Sequence, residues 1–297
     1  MRQKRNRVIF GILAFCLWAM NMSAQYSRSL LVGISEYPEG NGWAEINGRA
    51  DTDRLQPILE EKGFCVTKLN GEAATYRQII QSLENLAAQT KTGDGVYIHF
   101  SCHGQPFKDE DGDEADGWDE ALIPYDAPVR YEDGRYEGER HLLDDELNQY
   151  LNTIRKKAGE KGYLVVVIDA CHAGTSYRGD NEEAPVRGTS RGFSKDNQLY
   201  RPSKLEKKGN YRIASGKDLA EVVILEACRP YQQNREIQED NRYMGALSWY
   251  VGNQLKTDRE WRELRWVNKV RSAMEGDIRL TKQNLVIESS LTLWEQQ

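Results

Sequence analysis

Two residues of this 297-residue chain have the chemistry of a nucleophile and a base, and each stands where an apolar run ends. Cys171 follows Tyr163-Leu-Val-Val-Val-Ile-Asp-Ala, in which Leu164 to Ile168 are apolar and mostly β-branched. Such a run reads as a strand buried on both faces. His103 closes a second run of the same kind, Gly95-Val-Tyr-Ile-His-Phe-Ser-Cys-His-Gly104. A thiol attacks as thiolate, and a nearby imidazole can take its proton. The two lie far apart in sequence, so only the fold could join them. In a parallel sheet both would emerge at the carboxyl edge, where open α/β sheets place their ligands.

The elements that must position them alternate along the chain. Ser29 to Ile34 reads as a first strand, and Asp51 to Lys62 as a helix that Pro57 suits only in its first turn. Phe64 to Leu69 is a second strand. Thr75 caps a helix in which Tyr76, Ile79, Ile80, Leu83, Leu86 and Ala87 recur at helical spacing. After the His103 strand, residues 105–143 form a long acidic connection. Asp144 and Asp145 then cap a helix with Leu147, Tyr150, Leu151 and Ile154 on one face. Beyond Cys171, residues 175–218 carry ten Lys or Arg and no apolar periodicity, as a flexible basic linker would. Glu221 to Ala227 is a fifth strand, helices begin near Gly245 and Glu260, and Leu285 to Ile287 is a last short strand. This alternation predicts an α/β domain, a parallel sheet with helices on both faces.

Composition narrows the function. Hydrophobic residues make up 39% and charged residues 29%, so the core must come from these few concentrated runs. Arg2, Lys4, Arg5 and Arg7 precede an apolar stretch from Val8 to Met20, too short to span a bilayer, and small residues end at Ala24. Residues 1–24 therefore read as a signal peptide, leaving 25–297 as a single domain exported to the periplasm or the exterior, with no membrane attachment after cleavage. Losing those four positive charges takes the formal net charge from −6 to −10, which disfavours nucleic acid as a partner. Cys65, Cys102, Cys171 and Cys228 remain; all lie in or beside expected strands and suit buried free thiols better than disulfides.

Ser101-Cys-His-Gly104 and Asp169-Ala-Cys-His-Ala-Gly174 resemble the paired motifs of the caspase-like cysteine peptidases, in the metacaspase and bacterial orthocaspase branch. Cys102 stands where that branch has glycine and Ala173 where it has serine; neither change touches the thiol or the imidazole. The resemblance covers roughly residues 28–255 and includes the opening Leu-Val-Gly-Ile-Ser-Glu-Tyr-Pro phrase. It implies a caspase-like three-layer sandwich around a mostly parallel six-stranded sheet. It also implies a cysteine endopeptidase with His103 and Cys171 as catalytic dyad, the amides of Gly104 and Cys171 binding the oxyanion, and protein substrates. Asp169 maps to the first substrate pocket. Asp51 maps to a second pocket carboxylate, although Ala50 replaces the family's asparagine; a helix cap or a solvated carboxylate is the other reading of Asp51. Two carboxylates would select Arg or Lys. The tract 175–218 corresponds to a connection that family members often cut in themselves.

Other residues stay open. The stretch from Lys108 to Glu120, with Asp116, Asp119, Asp144 and Asp145, resembles a calcium-responsive segment of metacaspases, and it reads equally well as a solvated acidic loop. No cofactor is expected for the chemistry itself, and a monomer is expected. His172 should point away from Cys171, His99 reads as a satisfied core residue, and His141 has no evident partner. Two rival classes are a catalytically inactive caspase-like scaffold and a metal-binding module built on Cys102-His103 and Cys171-His172. Adjacent strand residues point to opposite faces, which argues against the latter.

Overall fold

The computed structural model describes residues 26–290 apart from 111, 113, 115, 173–183, 197, 202–210, 212, 215 and 264. The expected signal peptide lies outside the described residues. The first strand, β1 (Ser27–Gly33), leads to α1 (Gly48–Glu61) and β2 (Phe64–Asn70). Then follow α2 (Tyr76–Gln89), β3 (Gly95–Ser101), β4 (Gly104–Lys108), β5 (Trp118–Leu122), β6 (Leu142–Leu143), α3 (Asp144–Ala158) and β7 (Tyr163–Asp169). The chain ends with β8 (Glu221–Glu226), β9 (Glu236–Glu239), β10 (Arg242–Gly245), α4 (Ala246–Thr257), α5 (Arg265–Glu275) and β11 (Val286–Ser289).

Six strands form the central sheet in the order β11-β8-β7-β3-β1-β2, all parallel except β11. Side chains alternate across it, as strand geometry requires. Leu164, Val166 and Ile168 of β7 pack with Ile79 and Leu83 of α2 and Leu147 and Leu151 of α3. Val165 and Val167 face the other way, onto Leu55 and Leu59 of α1, Leu247 and Val251 of α4, and Val267 and Val270 of α5. The helices therefore cover both faces of a three-layer sandwich. Every residue of β3 and of β7 is buried, which is why both read as unbroken apolar runs.

Local chemistry sets the helix ends. Thr75 Oγ1 accepts from Gln78 N at 3.3 Å as the cap of α2. Asp144, Asp145 and Glu146 occupy the first turn of α3, and Arg155, Lys156 and Lys157 its last, matching the helix dipole. Asp144 and Asp145 are thus first-turn residues, with Leu143 at the cap position. Pro57 lies well inside α1, not in its first turn. It faces solvent, as does Asp53, whose carbonyl loses its helical donor and can turn to water.

Three regions differ from the sequence reading. The acidic connection 105–143 contains a three-stranded antiparallel sheet, β4-β5-β6, closed over Ala121, Ile123, Tyr136 and Phe193. Glu236 to Gly245 folds as a hairpin whose two turn residues, Asp240 and Asn241, have φ of 50° and 61°. Residues 184–194 of the expected flexible linker are packed: Arg187, Phe193 and Ser194 are buried, and Phe193 N donates to Pro106 O at 2.7 Å. Hydrogen bonds to main chain replace the missing apolar periodicity. Among the described residues all cysteines are free, and Cys65 is exposed where a buried thiol was expected. No described helix is long and apolar enough to cross a membrane.

Candidate functional site

Register brings the two motifs together. Ser101 of β3 lies opposite Asp169 of β7, so His103 and Cys171, each two residues further on, leave the sheet side by side. Both are buried. The His103 ring stacks on Trp43, with centroids 4.9 Å apart, and lies 5.4 Å from the Tyr37 ring. Its backbone N donates to Tyr37 Oη at 3.1 Å. Nε2–H donates to Ala44 O at 2.9 Å, which fixes the tautomer and leaves Nδ1 as the lone-pair nitrogen. Nδ1 has no hydrogen-bond partner although it is buried. Burial holds the imidazole down at about 4, so it is neutral near pH 7 and less basic than a free one, with an open lone pair on Nδ1.

The Cys171 thiol donates to Gln232 O at 2.9 Å, and Cys228 reaches the same carbonyl at 3.5 Å. Cys171, Tyr200 and Cys228 form one small buried cluster. The hydrogen bond to Cys171 and burial push the Cys228 thiol well up, so it stays protonated.

Beside the dyad lies a pocket of three carboxylates around one guanidinium. Arg187 Nη2 is 2.7 Å from both Asp51 Oδ2 and Glu236 Oε1, and Nη1 is 3.6 Å from Asp169 Oδ1, with all four side chains inaccessible. Ser101 Oγ donates to Asp51 at 2.7 Å and Arg187 Nη1 approaches that hydroxyl at 2.6 Å. Both pocket aspartates also hold the N-terminus of α4. Gly245 N donates to Asp51 Oδ1 at 3.1 Å, and Ser248 N donates to Asp169 Oδ2 at 2.7 Å. Ser248 Oγ (2.6 Å) and Asn234 Nδ2 (2.7 Å) complete Asp169. Against the upward push of burial, Arg187, Asn234 and Ser248 hold Asp169 below the usual carboxylate range. Burial lifts Asp51 to about 7 in spite of Arg187, since three carboxylates share one cation. Burial alone would lower Arg187, but Asp51, Asp169 and Glu236 keep it charged. Gly245 lines this pocket closely: a Cβ there would collide with Asp169 Oδ2 and stand 2.6 Å from Arg187 Nη1.

Of the residues singled out in the sequence, His103, Gly104, Cys171, Asp51 and Asp169 therefore converge at one edge of the sheet. The amides of Gly104 and Cys171 point to one oxygen, the Arg187 carbonyl, at 3.2 and 3.0 Å. His99 is a satisfied core residue, between Tyr97 Oη (3.0 Å) and Ser248 Oγ (2.9 Å). His141 does have partners: Tyr136 Oη at 2.7 Å and Gln105 Oε1 at 3.0 Å. His172 is buried, and that burial lowers its imidazole to about 3. Asp144 is pushed up to about 8 by burial and by Asp145 and Asp119, yet among the described residues no three His, Cys, Asp or Glu side chains converge to hold a metal ion. The sequence reading missed Trp43, Gln232, Asn234, Glu236 and Ser248, and it held Arg187 only as one of the ten basic residues of 175–218. Only Tyr37 carried a signal, in the Ser-Glu-Tyr-Pro phrase.

Comparison with known proteins bears on the family and the fold. The Caspase domain family matches residues 27–293. Metacaspase-1B of Neosartorya fischeri is 25% identical over 236 residues, covering 68% of this chain and 53% of that protein. Metacaspase-1 of Plasmodium falciparum is 32% identical over 162 residues, covering 50% of this chain and 24% of that protein. The chain thus spans about half or less of the length of these two relatives. Among solved structures, caspase-1 from Spodoptera frugiperda superposes with a TM-score of 0.57 at 14% identity, covering 92% of each chain. A protein from Geobacter sulfurreducens superposes with a TM-score of 0.61 at 21% identity, covering 89% of this chain and 93% of that one. The mostly parallel six-stranded sandwich, with its motif pair at adjacent strand ends, belongs to the Caspase domain family.

Proposed function

We propose that the protein is a cysteine endopeptidase that cleaves after Arg or Lys, with Cys171 as nucleophile and His103 as base. The observation that carries this is the pocket: Asp51, Asp169 and Glu236 surround a guanidinium beside the thiol. Three buried carboxylates require a cation, and a neutral or acidic side chain would leave them uncompensated.

The chemistry follows from the groups present. The thiol proton passes from Cys171 to Nδ1 of His103, which is neutral and unpartnered. The thiolate attacks the carbonyl carbon after the basic residue, and the oxygen takes up negative charge where the Gly104 and Cys171 amides converge. His103 returns the proton to the leaving amine, and water hydrolyses the thioester. No cofactor enters these steps. A calcium effect would act through the acidic residues around Asp116, Asp119, Asp144 and Asp145, and rates in calcium and in chelator test it. In the same reading the protein is an exported monomer that processes itself within 175–218. A mature chain beginning at Gln25 is the corresponding measurement for export.

The deciding experiment is a set of peptides with Arg, Lys or Asp before the scissile bond. Faster cleavage after Asp would overturn the pocket assignment. A protein that cuts none of them and resists a thiol-directed probe would instead be the inactive scaffold.

A further inference from the structure

The backbone of residues 185–188 crosses the site as a bound peptide would. Glu236 N donates to Pro185 O at 3.0 Å, Arg187 N donates to Asn234 O at 3.0 Å, and Val186 pairs antiparallel with Arg235. The segment is thus one added strand on the chain entering β9. Its Arg187 side chain fills the anionic pocket, with 0% exposure. Its Arg187 carbonyl oxygen takes both amides, Cys171 N and Gly104 N. The next residue, Gly188, pairs with Gly104 and presses on the nucleophile. A Cβ at Gly188 would collide with the Cys171 carbonyl and stand 3.1 Å from Cys171 Cβ. Side-chain pocket, carbonyl and leaving-side residue are therefore all placed at once.

We propose that Arg187–Gly188 is the bond this protein cuts in itself, and that until the cut the same segment closes the cleft to other substrates. The proposal rests on the peptidase reading above and adds to it the site and its regulation. Cys171 Sγ adds to the Arg187 carbonyl carbon while its proton goes to His103. The carbon–nitrogen bond to Gly188 then breaks, and His103 protonates the new Gly188 amine. Water converts the Arg187 thioester to a carboxylate and regenerates the thiol. No oxidant or other reactant is needed. The two fragments stay together, because β7 before the cut and β8 after it are neighbours in the sheet.

Full-length wild type is followed by intact mass and N-terminal sequencing beside Cys171→Ala, Arg187→Gln and Arg187→Lys. Wild type should release a fragment beginning at Gly188, at a rate independent of dilution. Cys171→Ala should stay whole even when active wild type is added, because its Arg187 is shut inside its own pocket. Arg187→Gln should slow this cleavage by about 10⁴-fold, since the pocket's buried polar groups would be left unpaired. It should also hydrolyse an added arginyl peptide without the lag that uncut wild type shows. Arg187→Lys keeps a cation and should still be cut at the same bond, which guards against a folding defect in the glutamine variant. Wild type that cleaves arginyl peptides while Arg187–Gly188 stays whole, or that is cut elsewhere in the tract, overturns the proposal and leaves the peptidase reading standing. An equal lag in wild type and Arg187→Gln overturns the closure. Absence of both peptide cleavage and thiol labelling overturns both readings.

Discussion

The pocket and the dyad share one sheet edge and are built in opposite ways. In the pocket all six carboxylate oxygens of Asp51, Asp169 and Glu236 accept hydrogen bonds, from Ser101, Asn234, Gly245, Ser248, Asn47 and Arg187. At the dyad, His103 is clamped by Trp43, Tyr37 and Ala44, yet its Nδ1 is left without a partner. The pocket is organised by giving every carboxylate oxygen a hydrogen bond although one cation serves three acids. The dyad fixes a ring while leaving without a partner the one atom that, in the proposed mechanism, takes a proton. A buried lone pair of this kind costs stability, and it persists because the surroundings over-determine the ring.

The sharpest way to break this comparison is at the nucleophile. Cys171→Ala should lower turnover of an arginyl peptide by about 10⁶-fold, the low end of enzymatic acceleration, with the melting curve little changed. Residual hydrolysis well above that level would remove Cys171 from the chemistry. Next comes the base: His103→Ala should cost ~10²–10⁴-fold in kcat and should flatten the acid limb of the rate profile. A full rate in that variant would mean that another group accepts the proton.

Asp169→Asn tests the pocket side. It keeps the shape and leaves Arg187 its two nearer carboxylates, but mismatches the donors on Asn234 and Ser248, so a loss of about 1–3 kcal/mol in urea unfolding is expected, with a weaker preference for Arg over neutral residues. Unchanged stability would show that the cluster is not the tightly matched unit described above. The smallest effect concerns a buried histidine outside the dyad. Burial and Arg140 lower His141 to about 3, against about 6.5 when unfolded. The unfolded chain therefore binds this proton below pH 6.5 while the folded chain does not until about pH 3. Stability contributed by neutral His141 is present above 6.5 and lost as pH falls through that window. His141→Gln should give a shallower decline of Tm between pH 6.5 and 4 than wild type; an equal slope would assign the acid sensitivity to other groups.

What could be read in the sequence and what could not divide along physical lines. β3 and β7 announce themselves because central parallel strands bury both faces, and the His and Cys follow them within two residues. α2 and α3 are legible through their spacing at one face. Arg187, Asn234 and Glu236 carry no such mark. They reach the site through main-chain pairing between 185–188 and 234–236, and backbone hydrogen bonds impose no pattern on side-chain type. The same holds for 184–194, where a lack of apolar periodicity suggested an unpacked tract although its carbonyls and amides are engaged. The Asp240-Asn241 turn escaped for a related reason: both residues tolerate positive φ, but neither is the glycine that usually signals such a hairpin.

Gly245 has a consequence for how substrate choice could change. Its backbone amide helps hold Asp51, while its missing side chain leaves the space that the guanidinium fills. One methyl group at this position would collide with the Asp169 carboxylate and crowd Arg187 Nη1. Under the proposed function, a single codon here acts on the pocket through Asp169 and the space beside it. Under that reading, a lineage that gained this methyl would meet long basic side chains with a displaced carboxylate and a narrower space.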